Sequence, residues 1–278
     1  MPTFQTNDDV TLYYKDWGPN DGPPAVLIHG WPLSADSWDD IAMPLAEAGH
    51  RVVAYDRRGF GRSEQPFTGY DYDTLAADLT ALLHHLSLQN AALVGFSMGG
   101  GEVARYMSRH HQQHPGHVRS AVLISSVVPY MLQADDNPEG VPQSTFDTMT
   151  EGMREDRAHF FSGFFKDFYG VGLVSKPVSD EWLQWSRSVA MSASLKATLA
   201  CADAFATTDF RSDLASFDVP TLIIHGTSDQ TVPIDASARP AAAGIADATL
   251  KEYDGAPHGL FKTHQDQLIT DLKDFLGR

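Results

Sequence analysis

Three residues, Ser97, Asp229 and His258, are of the types needed to activate a hydroxyl nucleophile, and each sits in a loop where a short apolar run ends. A serine hydroxyl is a poor nucleophile until a base removes its proton. Histidine is the usual base, and a buried carboxylate fixes its tautomer. Ser97 lies in Gly95-Phe96-Ser97-Met98-Gly99, between the β-favouring run Ala91-Ala92-Leu93-Val94 and a run of helical character, Glu102-Val103-Ala104-Arg105-Tyr106-Met107. A serine on such a turn has its hydroxyl pushed outward, beside the first N–H groups of the helix. Asp229 follows the run ending at His225-Gly226, and His258 stands in Gly255-Ala256-Pro257-His258-Gly259. Functional groups of open α/β sheets gather at the carboxyl ends of strands. All three candidates obey that rule.

A tetrahedral intermediate needs N–H donors for its oxyanion. The residue after the nucleophile, Met98, supplies one, and the loop His29-Gly30-Trp31-Pro32 supplies the other. Trp31 is placed to offer its backbone N–H, and Pro32, which has none, narrows the choice. His29 reads as a hydrogen-bonding residue that holds the loop. Asp56 and Arg57 read as an ion-paired loop rather than a second reacting centre. The cluster His110, His111, His114 and His117 near a helix end is expected to hold no metal, because no carboxylate stands at ligand spacing. His84 and His85 are expected on the outer part of an amphipathic helix, and Cys201 in the interior.

The elements that must position these residues alternate along the chain. Strands are expected at 10–17, 25–28, 52–55, 91–94, 118–124, 220–226 and 250–253. Ser34 is expected to cap a helix running to about Ala48, Asp73 one running to Leu86, and a last helix covers about 265–276. Short apolar strands alternating with helices predict an α/β fold with a mostly parallel central sheet covered on both faces. The alternation stops between 129 and 208, where Phe146, Phe160, Phe161, Phe164, Phe165, Phe168, Tyr169, Trp182 and Trp185 recur at helical spacing. That segment is expected to be an inserted helical cap, with 1–128 and 209–278 forming the core. Four of its six phenylalanines are expected to pack inward. Trp31, Phe146, Phe164 and Phe168 are the candidates for lining a substrate pocket.

Composition narrows the function classes. A chain of 278 residues with a formal net charge of −16 is a poor partner for nucleic acid or an anionic membrane surface. One cysteine excludes an intrachain disulfide and a Cys-rich metal site. The N-terminal stretch has neither a basic start nor an apolar core, and the longest apolar stretch is interrupted by Ser125, Ser126 and Pro129. A cytoplasmic protein is the expectation.

The matching stretches run end to end: His29-Gly30-Trp31-Pro32-Leu33, Asp56-Arg57-Arg58-Gly59-Phe60-Gly61, Gly95 through Tyr106, Pro220 through Gly226, and Gly255 through Leu260. On these the chain resembles the α/β-hydrolase superfamily, and more narrowly the cofactor-free bacterial haloperoxidase, arylesterase and γ-lactamase group. The order Ser, Asp, His along the chain is that of the superfamily. The resemblance implies an α/β-hydrolase fold, Ser97 as nucleophile, Asp229 as acid, His258 as base, and oxyanion donors on Trp31 and Met98. It implies no cofactor and no metal. Halide oxidation would then arise from a peracid, made when hydrogen peroxide attacks an acyl-enzyme. Pro32 is typical of haloperoxidase-like members. Residues 135–142 and 164–169 look like the γ-lactamase branch, whereas Gly99-Gly100-Gly101 looks like the peroxidase and esterase branch.

The expected function is hydrolysis of small carboxylic esters with perhydrolysis as a side activity. Activity should rise with pH as the base loses its proton. The alternative keeps the machinery and takes a small lactam, lactone or amide as substrate. A ligand receptor on the same fold is a third reading. Dehalogenase and epoxide-hydrolase chemistry is disfavoured, since those enzymes carry a carboxylate where this chain has Ser97. Relatives of this kind often form homo-oligomers.

Overall fold

In the computed structural model, which describes Met1–Gly277, eight strands form one sheet. They are β1 (Thr3–Gln5), β2 (Thr11–Trp17), β3 (Pro24–Ile28), β4 (Arg51–Tyr55), β5 (Ala91–Phe96), β6 (Val118–Ile124), β7 (Thr221–Gly226) and β8 (Ala248–Tyr253). Their spatial order is β1-β2-β4-β3-β5-β6-β7-β8. β1 pairs antiparallel with β2 and β2 antiparallel with β4, while every later pairing is parallel. β3 and β5 are apolar and buried almost throughout, as strands covered on both faces must be. β8, at the sheet's edge, is buried only at Tyr253.

Helices cover both faces. On one, α1 (Asp39–Glu47) packs on α9 (Gln265–Leu276); on the other, α2 (Tyr72–His85) packs on α3 (Met98–Arg109). The shorter helices α7 (Ala238–Gly244) and α8 (Leu260–Thr263) follow β7 and β8. Between β6 and β7 the chain is helical: α4 (Gln143–Phe168), α5 (Asp180–Ser192) and α6 (Leu195–Thr207). α4 is broken at Asp156, whose backbone is extended and whose Oδ1 accepts from the N–H of His159 at 2.9 Å, capping the second half. The buried apolar residues of these helices and of the sheet form one continuous cluster. No single helix among the described residues is long and apolar enough to cross a membrane.

Several local expectations need correction. Asp71, not Asp73, caps α2, its Oδ1 accepting from Thr74 N at 2.9 Å. Ser34 opens a 3-10 turn, Ala35–Trp38, which then runs into α1. α3 starts at Met98 and so carries Gly99, Gly100 and Gly101 in its first turn, despite their poor helix propensity. It ends at Arg109, and a separate 3-10 turn, His111–Gln113, leads toward β6. β1 and α7 are too short to leave a periodic signature.

The register places the site. Ile28 of β3 is level with Gly95 of β5, Phe96 with Ile124 of β6, Ile124 with Ile224 of β7, and Gly226 with Tyr253 of β8. The loops leaving these strands therefore emerge along one edge.

Candidate active site

Ser97 occupies the turn between β5 and α3 with φ 54° and ψ −120°, left-handed backbone that a β-substituted residue rarely adopts. Its N–H donates to Ile124 O at 2.8 Å and its carbonyl accepts from Gly100 N at 3.0 Å, so the turn is tied from both sides. The strand and helix meet too closely here for side chains. A Cβ on Gly95 would lie 2.5 Å from the Gly99 carbonyl oxygen, and one on Gly99 2.4 Å from that of Ile28.

The structure brings the three nucleophile-activating candidates together. The Ser97 hydroxyl donates to His258 Nε2 at 3.0 Å, and His258 Nδ1–H donates to Asp229 Oδ2 at 2.7 Å. The other Asp229 oxygen accepts from the N–H groups of Thr231 and Val232 at 2.9 and 2.8 Å. Burial alone would raise the Asp229 carboxyl, but the charge of His258 and hydrogen bonds from His225 and His258 outweigh it and hold the group well below the usual carboxylate range. The His258 ring packs against Phe96 on one side and edge-on against Phe168 on another, with centroids 5.1 and 4.8 Å apart. It therefore stays aligned between serine and aspartate.

Two backbone N–H groups, those of Met98 and Trp31, have no acceptor among the described residues. Met98 is the first residue of α3, so its N–H has no helical partner. Trp31 N has no backbone or side-chain acceptor among the described residues. The Trp31 loop rests on a buried polar frame. Arg57 N donates to His29 Nε2 at 3.0 Å, so Nδ1 carries the proton and donates to Gly30 O at 2.9 Å. Burial, and then the Arg57 charge, hold His29 well below the ordinary histidine range and keep it neutral. Arg57 Nη2 donates to His29 O at 2.6 Å, and the same guanidinium pairs with Glu102, which also accepts from Tyr55. Asp56 pairs with Arg62 at 2.8 Å and accepts from Ala35 N. These residues form a structural network, as expected for Asp56 and Arg57. The part played by Glu102 lay beyond sequence reasoning, because nothing in the chain links it to Arg57.

Ser97 and His258 open on a cavity of about 500 Å³. Its apolar lining includes Trp31, Met131, Phe146, Met149, Phe164 and Phe205, and no lysine or arginine lines it among the described residues. Phe168 is a correction. It is fully buried at the end of α4, behind the His258 ring, and does not line the cavity. Phe146, Phe161, Phe165 and Phe168 are the four cap phenylalanines that pack inward. Met149 and Phe205 were missed as lining residues, since helical spacing cannot say which side of a buried helix meets a void, and Met131, in the connection between β6 and α4, carries no periodic signal at all. A larger groove of about 840 Å³ runs between residues 67–71 and helices α4 and α6, but neither Ser97 nor His258 lines it.

A mostly parallel sheet covered by helices on both faces, with loops converging at the carboxyl ends of its strands, is the architecture of the α/β hydrolase fold, and this chain belongs to that family, whose sequence pattern matches residues 23–265. Within it, the similar proteins include non-heme haloperoxidases. The chain is 46% identical to a non-heme chloroperoxidase of Streptomyces lividans, with 99% of each chain covered. It is 40% identical to a bifunctional esterase/perhydrolase of Acinetobacter calcoaceticus, again over 99% of each. The crystal structure of a bromoperoxidase from Bacillus anthracis superposes with a TM-score of 0.94 at 44% identity, covering 100% of this chain and 99% of that one.

Proposed function

We propose that the chain is a serine esterase of small, neutral, apolar carboxylic esters that works through an acyl-enzyme on Ser97, with hydrogen peroxide able to replace water in the second step. The observation that carries this reading is the unbroken hydrogen-bond relay Ser97–His258–Asp229 at the floor of an apolar cavity. Helices α4 to α6, within residues 129–208, act as the cap that closes the cavity.

In the first step Ser97 Oγ attacks the ester carbonyl while His258 Nε2 takes the hydroxyl proton. The oxyanion is met by the N–H groups of Met98 and Trp31. Asp229, held ionised, keeps the imidazole in the tautomer that can accept a proton and stabilises its charged form. His258 then gives the proton to the leaving alcohol. Water attacking the acyl group yields a carboxylic acid; hydrogen peroxide yields a peracid. The peracid transfers an oxygen atom to halide in solution, forming hypohalous acid and leaving the carboxylate. The bifunctional esterase/perhydrolase relative supports the double outcome. The absence of cationic lining residues, in a chain of net charge −16, supports neutral rather than carboxylate-bearing substrates.

A serine-directed phosphonate tests the assignment. One adduct on Ser97 is expected, with parallel loss of ester turnover and of peracid formation from ester and hydrogen peroxide. Full inactivation without an adduct on Ser97 would overturn it.

A further inference from the structure

We propose that His84, His114 and His117 form a binding site for one divalent transition-metal ion of the class imidazole favours, zinc foremost. Each residue offers a ring nitrogen, and the three nitrogens lie within 4.8 Å of one another. A tetrahedral zinc ion with Zn–N bonds of about 2.0–2.1 Å needs its nitrogens about 3.3 Å apart. Small side-chain rotations close that gap, since His84 is exposed and His114 half-buried.

The backbone that carries the three rings is fixed independently of any ion. His84 stands in the last turn of α2, where its carbonyl accepts from Ser87 N at 3.0 Å. His114 and His117 flank a turn in which His117 N donates to His114 O at 3.2 Å. That turn is pinned to the start of β5 by Asn90 N to Gly116 O and Ala91 N to His117 O, both 2.7 Å. The rings are neighbours as well. His84 meets His114 and His117 edge-on, with centroids 4.7 and 5.0 Å away, while His114 and His117 are stacked at 5.1 Å, so the half-buried His114 ring must turn before its in-plane lone pair and that of His117 face one ion.

The surroundings suit a ligand set. The hydroxyl of Tyr106, a buried residue, is 3.3 Å from His117 Nδ1, the kind of contact that orients a metal-binding imidazole and leaves Nε2 to the ion. His111 takes no part, because its Nε2 is paired with Asp218 at 2.9 Å. An all-imidazole set selects zinc, copper, nickel or cobalt over magnesium or calcium, which prefer oxygen.

The position sets the role. His117 immediately precedes β6, whereas Ser97 follows the far end of the adjacent strand β5. A strand's length, about 20 Å, separates the two. The ion would tie the end of α2 to the α3–β6 connection and leave ester chemistry untouched.

Calorimetric titration of tag-free, chelator-treated full-length protein with zinc chloride tests the site. One equivalent per chain is expected, with a Tm rise of about 5 °C at a hundredfold excess over Kd and unchanged ester turnover. His84→Gln and His114→Gln should each weaken binding at least about tenfold. A wild-type protein that takes up no zinc at equimolar stoichiometry overturns the proposal. So does undiminished binding by His84→Gln, which would mark chelation by the histidines of the 110–117 loop alone. The wild-type titration decides the matter even if a variant fails to fold.

Discussion

The floor under Ser97 and the helical layer above it solve the problem of holding a reactive site in opposite ways. Below, His29, Tyr55, Asp56, Arg57 and Glu102 are buried charged and polar groups, joined by directional bonds at nearly every polar atom. Above, Phe146, Phe160, Phe161, Phe164 and Phe205 meet one another and Trp31 edge-on, tilted or, for Phe160 and Phe164, stacked, with ring centroids 5.3–6.4 Å apart. Directional bonds fix atoms to tenths of an ångström, which is what oxyanion donors need. Aromatic packing fills space with less positional demand, so it can change shape without disturbing the chemistry. Trp31 joins the two. Its backbone belongs to the floor, and its Nε1 donates to Thr198 O of α6 at 3.0 Å.

The comparison predicts graded losses. Replacing the nucleophile, Ser97→Ala, should lower kcat for a p-nitrophenyl ester by about 10⁶-fold and abolish peracid formation to the same degree, with the fold intact. Retention of either activity alone would separate perhydrolysis from the acyl-enzyme. Asp229→Asn should cost about 10⁴-fold, because the imidazole loses the partner that sets its tautomer. The pH profile follows from the same carboxylate. Its folded-state pKa is depressed, so its contribution to stability is fully present above the ordinary carboxyl value of about 3.9. That contribution disappears only as pH falls through the lowered folded value. Asp229 therefore stays ionised from pH 5 to 8, and its own titration should leave no inflection in kcat/KM over that range. An inflection there that Asp229→Asn removes would break the assignment.

Within the floor, Glu102→Ala should cost about 3–5 kcal/mol, because it strands the Arg57 charge in the interior. For a chain of this size that lowers Tm by about 10 °C. Turnover should fall by about tenfold, since Arg57 also holds the His29 carbonyl two residues before the Trp31 N–H. Thermal unfolding and kcat should move together. A variant that unfolds early yet retains full kcat at 20 °C would show that the floor supports the fold without positioning the donor.

What the sequence made legible, and what it hid, divides along the same line. The placement of Ser97, Asp229 and His258 after strands was readable, because strand ends are marked locally by apolar runs meeting Gly, Pro and Ser. Helix α9 was readable to its limits for the same reason. The Arg57–Glu102 pair was not, nor was the approach of His84 to His114 and His117, since both join elements far apart in the chain. Phe168 was misread as pocket lining because periodicity assigns it to the inner side of α4 but says nothing of the His258 ring it meets there. Asp156 breaks α4 within a run of good helix formers, and only the cap it provides explains the bend.

The smallest effect is the one that tests the upper layer. Phe164 lines the cavity and meets Trp31 edge-on at 5.3 Å, whereas Phe161 packs on Trp31 at 5.7 Å but is fully buried and faces no void. Phe161→Ala should behave as a core deletion, destabilising by about 3–5 kcal/mol with little change in which esters are preferred. Phe164→Ala removes a wall rather than a filler. KM for an acetate ester should rise about two- to fivefold with kcat nearly unchanged, the mark of lost uniform binding. The ratio of kcat/KM for a hexanoate ester to that for acetate should rise by a similar factor, because the enlarged cavity admits the longer acyl chain. If both variants shift chain-length preference alike, the aromatic layer acts as one deformable body. If only Phe164→Ala does, selectivity resides in the few rings that face the serine, and the remainder of the layer serves to hold them there.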